Sequence, residues 1–248
     1  MIDRYDDKEI SSLFTLENRY NKFLDIELAV IEANVKLGKI PNSDYQLIKE
    51  KAKVNVERIN YLETIYKHDV IAFTRSISEN LGEEKRWFHY GLTSTDVVDS
   101  AMSLIYNEAT NKLYPTIDKL LEAYKEKALK YKNLKCVART HGVHGEITSF
   151  GLKFARFYDE LKRNKDRLIN AQKELCVIKL EGAVGNFLMT DPEVENYVAH
   201  KFNLATPRIA TQVIARDVHT NYLNVISLIA THLENVAVEF RNLSRTEI

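Results

Sequence analysis

Apolar residues recur at spacings of three and four through most of the chain, with few turn-forming residues between the runs. Phe23, Ile26, Val30, Ala33 and Leu37 make one such stripe, the signature of a helix burying one face. Thr15 is its candidate N-cap, and Gly38 followed by Pro41 supplies the stop. Ser43 with Gln46 reads as a capping box for a short helix to about Lys53. A further helix is predicted from Asn55 to about Tyr66. Asp69 then caps one carrying Val70, Phe73 and Ile77, ending near Gly82. From about Thr95 the pattern stays helical to about Lys132, with Pro115 expected to kink the helix without ending it.

A loop over Thr140–Gly145 precedes the next long helix, whose stripe is Phe150, Phe154, Phe157 and Leu161. Glu181–Asn186 is a loop with two glycines, and Asp191-Pro192-Glu193 starts a helix with a capping carboxylate and a proline in its first turn. The last helix runs from about Asp217, with Val225, Ile229, His232, Val236 and Phe240 on one face, and Ser244–Ile248 carries no stop signal. The chain has only eight glycines and four prolines, which favours long elements. The expected fold is all-α: a small helical N-terminal domain over 1–110, then a long-helix bundle over 111–248 that is incomplete at its C-terminal end. The stripes are richer than three helices can bury, so partner helices from other subunits are expected.

Composition narrows the functional classes. With 35 basic and 35 acidic residues the formal charge is zero, which removes the electrostatic argument for a nucleic-acid partner. Cys136 and Cys176 lack metal-ligand spacing and read as free thiols in a reducing compartment. The start, Met1-Ile2-Asp3-Arg4-Tyr5-Asp6, is too polar for a signal peptide, and no run is apolar enough to cross a bilayer. A cytoplasmic protein without membrane contact is expected.

Three segments carry candidate chemistry: Lys67-His68-Asp69-Val70, Gly91-Leu92-Thr93-Ser94-Thr95-Asp96, and Arg139-Thr140-His141-Gly142-Val143-His144-Gly145. Each sets polar side chains at the expected mouth of a helix, where free N–H groups favour an anionic ligand. Each also has a plainer reading. His68-Asp69 and Thr93–Asp96 can be helix caps, and His144 can be structural. His89 can pack between Trp87 and Tyr90, and His232 can be a satisfied core or interface histidine. The Phe150, Phe154 and Phe157 stripe is core or interface, and residues 162–167 form a solvated helix face. His141 with His144 is too sparse for a metal site.

Taken in order, these segments resemble the adenylosuccinate lyase family of the fumarase and aspartase superfamily. The likeness covers Arg4-Tyr5, Lys67–Val70, Trp87–Asp99, Arg139–His144, Gly182-Ala183-Val184-Gly185, and Thr211-Gln212 with Arg216-Asp217. It implies β-elimination of fumarate from adenylosuccinate, giving AMP, and the same cleavage of the related succinyl-carboxamide ribotide, with no cofactor. By similarity His141 is the general acid and Thr140 helps hold the succinyl group. His68 and Asp69 orient the leaving nitrogen; Thr93, Ser94 and Gln212 bind carboxylates; Arg4 and Tyr5 hold the nucleotide end, and Lys67 is a further substrate-binding residue. An imidazole suits the acid because it titrates near neutrality. Hydroxyls and helix N–H groups suit a carbanion whose charge gathers on carboxylate oxygens. The family also implies a homotetramer whose bundles merge into one core, each site drawing segments from three chains.

Departures from the family bear on activity. The superfamily's base is a serine in a loop reading roughly Gly-Ser-Ser-x-Met-Pro, and no such segment occurs in these 248 residues. Little or no activity is therefore expected of the chain by itself. Lys67 stands where relatives often have arginine, and Gly145-Glu146-Ile147 where Ala-Glu-Pro is expected; the latter change should loosen the helix start after His141. Two rival readings stand beside the first: a superfamily lyase for argininosuccinate or an aspartate-type substrate, and a non-catalytic helical oligomerisation protein.

Overall fold

The computed structural model describes residues 2–246 and 248. Nine α-helices are present among the described residues, with one two-stranded sheet. They are α1 (Lys8–Ser11), α2 (Leu16–Lys36), α3 (Asn42–Lys51), α4 (Val56–Tyr66), α5 (Asp69–Ser78), α6 (Ser94–Lys130), α7 (Phe150–Leu175), α8 (Pro192–Phe202) and α9 (Asp217–Leu243). The strands β1 (Lys135–Thr140) and β2 (Val143–Ser149) lie between α6 and α7. The helical fold class expected from the periodicity is the one observed. No helix among the described residues is long and apolar enough to cross a membrane.

The chain divides into two compact units. One comprises residues 1–109 and 173–216, the other 110–172 and 217–248. Residues 173–216 group with the first unit, where Ile178, Leu180, Val194 and Val198 enter its core.

In the first unit α2 packs on α3, α4 and α8, and α4 on α5. Its core joins Phe23, Ile26, Ile48, Ile59, Phe73 and Ile77 to Val97, Ala101, Ile178, Leu180 and Val198. The Tyr20, Phe23 and Phe73 rings meet with centroids 5.5–5.9 Å apart. Two predicted caps form: Thr15 Oγ1 accepts from Asn18 N at 3.2 Å and Asp191 from Glu193 N at 3.0 Å; Asn55 adds another, accepting from Arg58 N at 2.9 Å. The Ser43/Gln46 box does not. α3 starts two residues earlier than the box implies, with Pro41 in the cap position, so Ser43 already lies within the first turn. Asp69 does not cap α5 either; His68 occupies that position and Asp69 is the first helical residue.

In the second unit α6 continues through Pro115 as one helix to Lys130. Ile117, Leu121, Tyr124, Phe154, Phe157, Leu161, Tyr222, Val225 and Val236 are buried. His232 is fully buried between the rings of Tyr124 and Phe157, at 5.8 and 6.2 Å. It is a core histidine but not a satisfied one: neither ring nitrogen makes a hydrogen bond, and Glu160 Oε1 lies 3.5 Å from Nδ1. α9 stops at Leu243, where Ser244 Oγ bonds back to Phe240 O.

The largest difference from the expected fold lies at residues 135–149. In place of a loop leading directly into a helix there is an antiparallel hairpin, pairing Val137 with Ile147, Arg139 with His144 and Thr140 with Val143. His141 and Gly142 form its two-residue turn, with φ of 56° and 77°, the positive values such hairpins require. The Gly145–Ile147 segment is strand, so its departure from Ala-Glu-Pro has no helix start to loosen.

Candidate active site

The first unit brings His68 and Ser94 together. Lys67 ends α4 in the left-handed conformation, φ 54°, and turns the chain so that His68 caps α5. His68 Nδ1 accepts from Ile71 N at 3.5 Å, which leaves Nε2 facing Ser94 Oγ at 3.4 Å. Asp69 Oδ1 lies 3.5 Å from His68 Nδ1, while its Oδ2 pairs with Arg19 at 3.2 Å. Lys67, His68, Asp69 and Arg19 line an open cleft of about 550 Å³.

Thr93 and Ser94 sit at the start of α6, held by a reciprocal cap. Asp96 Oδ2 accepts from Thr93 N at 2.9 Å, and Asp96 N donates to Thr93 O at 3.0 Å. Asp96 is fully buried and bonded to Lys179, also fully buried, at 2.7 Å. Lys179 Nζ donates as well to Gly182 O and Gln212 O, both at 2.9 Å. Gln212 O accepts a second bond from Thr95 Oγ1 at 2.5 Å, leaving the exposed Gln212 beside the first turn of α6. Asp99 extends this attachment by accepting from Ile214 N and Arg216, each at 2.9 Å.

His89 is more than a packed ring between aromatics. Its backbone is left-handed at φ 64°, and the buried Glu27 accepts from His89 N at 2.9 Å and contacts Nδ1 at 2.6 Å. Burial alone would lower the His89 pKa; the hydrogen bond and charge of Glu27, with Asp96 adding, outweigh it and hold the imidazole above its ordinary value. Nearby, Glu195 accepts from Leu180 N at 2.7 Å. Burial, reinforced by Glu181 and Asp96, pushes its carboxyl up to about 7.

Thr140 and His141 belong to the second unit, where both are exposed at the hairpin tip. On the same hairpin Arg139 Nη2 lies 3.2 Å from His144 Nε2, giving His144 a partner within the strand pair. Arg4 and Tyr5 form an exposed 3-10 turn near the N-terminus, the guanidinium 4.8 Å from the tyrosine ring centre. Both cysteines are free, and burial pushes the Cys176 thiol up to about 12. Among the described residues no group of His, Cys, Asp and Glu could hold a metal ion.

Sequence reasoning missed Lys179, Glu27 and Arg19. Lys179 had a signal, since a single lysine inside the apolar run Val177-Ile178-Lys179-Leu180 demands a buried partner. Arg19 and Glu27 look like ordinary polar positions of an amphipathic helix, and nothing local marks them.

Residues 4–248 match the family described as Lyase, so the chain belongs to that lyase family, within the fumarase and aspartase superfamily. Among individual proteins it is similar to the adenylosuccinate lyase of Staphylococcus saprophyticus, 45% identical over 247 residues. That alignment covers all of this chain but 57% of the relative. Two crystal structures share the fold. Fumarate lyase from Mesorhizobium sp. BNC1 has a TM-score of 0.89 at 22% identity, over 97% of this chain and 58% of that one. The 3-carboxy-cis,cis-muconate lactonizing enzyme from Pseudomonas putida has 0.90 at 23%, over 100% and 59%.

Proposed function

We propose that this chain contributes the acid side and carboxylate-binding side of an adenylosuccinate lyase site. The reaction is a carbon–nitrogen β-elimination. A base takes the proton from the succinyl carbon next to a carboxylate, the C–N bond breaks, fumarate leaves, and the nitrogen is protonated. AMP is the other product from adenylosuccinate, and the carboxamide ribotide from the second purine substrate. His141 gives the proton and Thr140 steadies the succinyl group. His68 orients the leaving nitrogen, with Asp69 beside it. Thr93, Ser94 and Gln212 receive the carboxylates, Arg4 and Tyr5 hold the nucleotide end, and Lys67 also binds substrate.

The single observation that carries this reading is the approach of His68 Nε2 to Ser94 Oγ at the start of α6. Two segments 26 residues apart thereby present an imidazole and a hydroxyl side by side where helix N–H groups favour an anion. The 45% identity to an adenylosuccinate lyase supports the substrate. The same reading makes the assembly a cytoplasmic homotetramer without a cofactor.

A second reading, an oligomerising form of the fold without catalysis, is favoured by the apolar Leu223, Leu228, Leu233 and Val238 that α9 leaves exposed. Turnover separates the alternatives. Purified 248-residue chain is expected to release little or no fumarate from adenylosuccinate, the succinyl-carboxamide ribotide or argininosuccinate. Turnover near that of the full-length relative would contradict the absence of a base, and preference for argininosuccinate would contradict the substrate.

A further inference from the structure

Lys179 is fully buried, and all three of its N–H donors are engaged: Asp96 Oδ1 at 2.7 Å, Gly182 O at 2.9 Å and Gln212 O at 2.9 Å. Its acceptors lie on three separate segments: the first turn of α6, the glycine loop at 182–185, and the loop around 212. Asp96 in turn holds Thr93 N, and Thr95 Oγ1 shares the Gln212 carbonyl with Lys179. One nitrogen atom thus joins the backbone beside Thr93 and Ser94 to the backbone of Gln212. Apolar side chains of similar volume in place of both Lys179 and Asp96 could fill this space with equal or greater stability, because burying a charge pair costs desolvation, whereas removing Lys179 alone strands a buried carboxylate. What an apolar side chain could not do is fix the separation of the three loops, since that depends on directed bonds.

We propose that Lys179 is a positioning residue: through Asp96 and the Gln212 carbonyl it sets the gap between the α6 hydroxyls and the Gln212 side chain, so that both grip one dicarboxylate. It acts through these groups and touches no substrate itself. The inference rests on the carboxylate-binding role given above to Thr93, Ser94 and Gln212.

The test uses the 248-residue chain with Lys179→Met, Lys179→Arg and the double change Lys179→Met with Asp96→Asn, which leaves no unpaired buried carboxylate. Amide hydrogen exchange is followed by mass spectrometry, and fumarate binding by NMR titration. Lys179→Met is expected to speed exchange at least tenfold at 93–96 and 211–214, leave α2 unchanged, and weaken fumarate at least tenfold. Lys179→Arg should recover part of that affinity. If Lys179→Met does not fold, the double variant carries the same expectations; failure of both to fold would make the role structural and overturn the proposal. Unchanged exchange, or exchange raised equally in α2, would overturn it too. So would local loosening with fumarate affinity intact. Wild-type chain that binds no fumarate would overturn the carboxylate-site reading itself, a result distinct from equal binding by wild type and variant.

Discussion

Single residues decide how the first unit responds to pH. Glu195 is buried, and its carboxyl titrates near 7 when folded against 4.5 ordinarily, so the folded state binds its proton more readily than the unfolded state does. Its contribution to stability is fully present below about pH 4.5 and is lost as pH rises through about 7. Glu195→Gln keeps an acceptor for Leu180 N without the charge. The variant should melt above wild type at pH 8.5 and lose that advantage at pH 5, whereas a difference independent of pH would contradict the assignment. His68, Ser94, Gln212 and His141 stand out as candidates by residue type and order. Lys179, Glu27 and Arg19 act through tertiary contacts that no local pattern encodes, apart from the lysine stranded in an apolar run.

Elements were legible where capping chemistry and period agreed. Thr15 and Asp191 each bond the N–H groups their sequence position implied, because a short polar side chain ahead of an apolar stripe has few other uses. Thr15→Ala should therefore cost about 1 kcal/mol in denaturant unfolding; no change would mean that Asn18, bonded to Leu13 O, holds the helix start unaided. The hairpin was missed for a physical reason. The two glycines of Thr140–Gly145 favour a loop, yet β-branched Val137, Val143 and Ile147 flank a two-residue His-Gly turn, which is a strand-pairing signal. In the glycine loop, Gly185 has φ 76°, and a Cβ there would lie 2.2 Å from the Ala210 carbonyl oxygen. Gly185→Ala should cost more than roughly 2 kcal/mol, since left-handed strain and a clash with backbone add. A loss near zero in the same unfolding experiment would show that the 210–212 segment can give way.

At the scale of the molecule, periodicity disclosed a helical protein, but not how 173–216 folds back onto the first unit. That return depends on Ile178, Leu180, Val194 and Val198 entering a core begun by α2 and α5. α9 leaves Leu223, Leu228, Leu233 and Val238 exposed, which fits the proposed merging of bundles from several subunits. The chain spans 57% of the lyase it resembles at 45% identity, and the proposed site needs a base from outside these residues. Complementation tests that account most directly. The 248-residue chain is co-assembled with full-length Staphylococcus saprophyticus adenylosuccinate lyase inactivated at the histidine aligned with His141, and fumarate release from adenylosuccinate is measured on the isolated mixed assembly. Turnover is expected from the mixture and from neither component alone, because this chain supplies the acid and its partner the serine loop. Mixed assemblies without turnover, or turnover by the 248-residue chain alone, would contradict it.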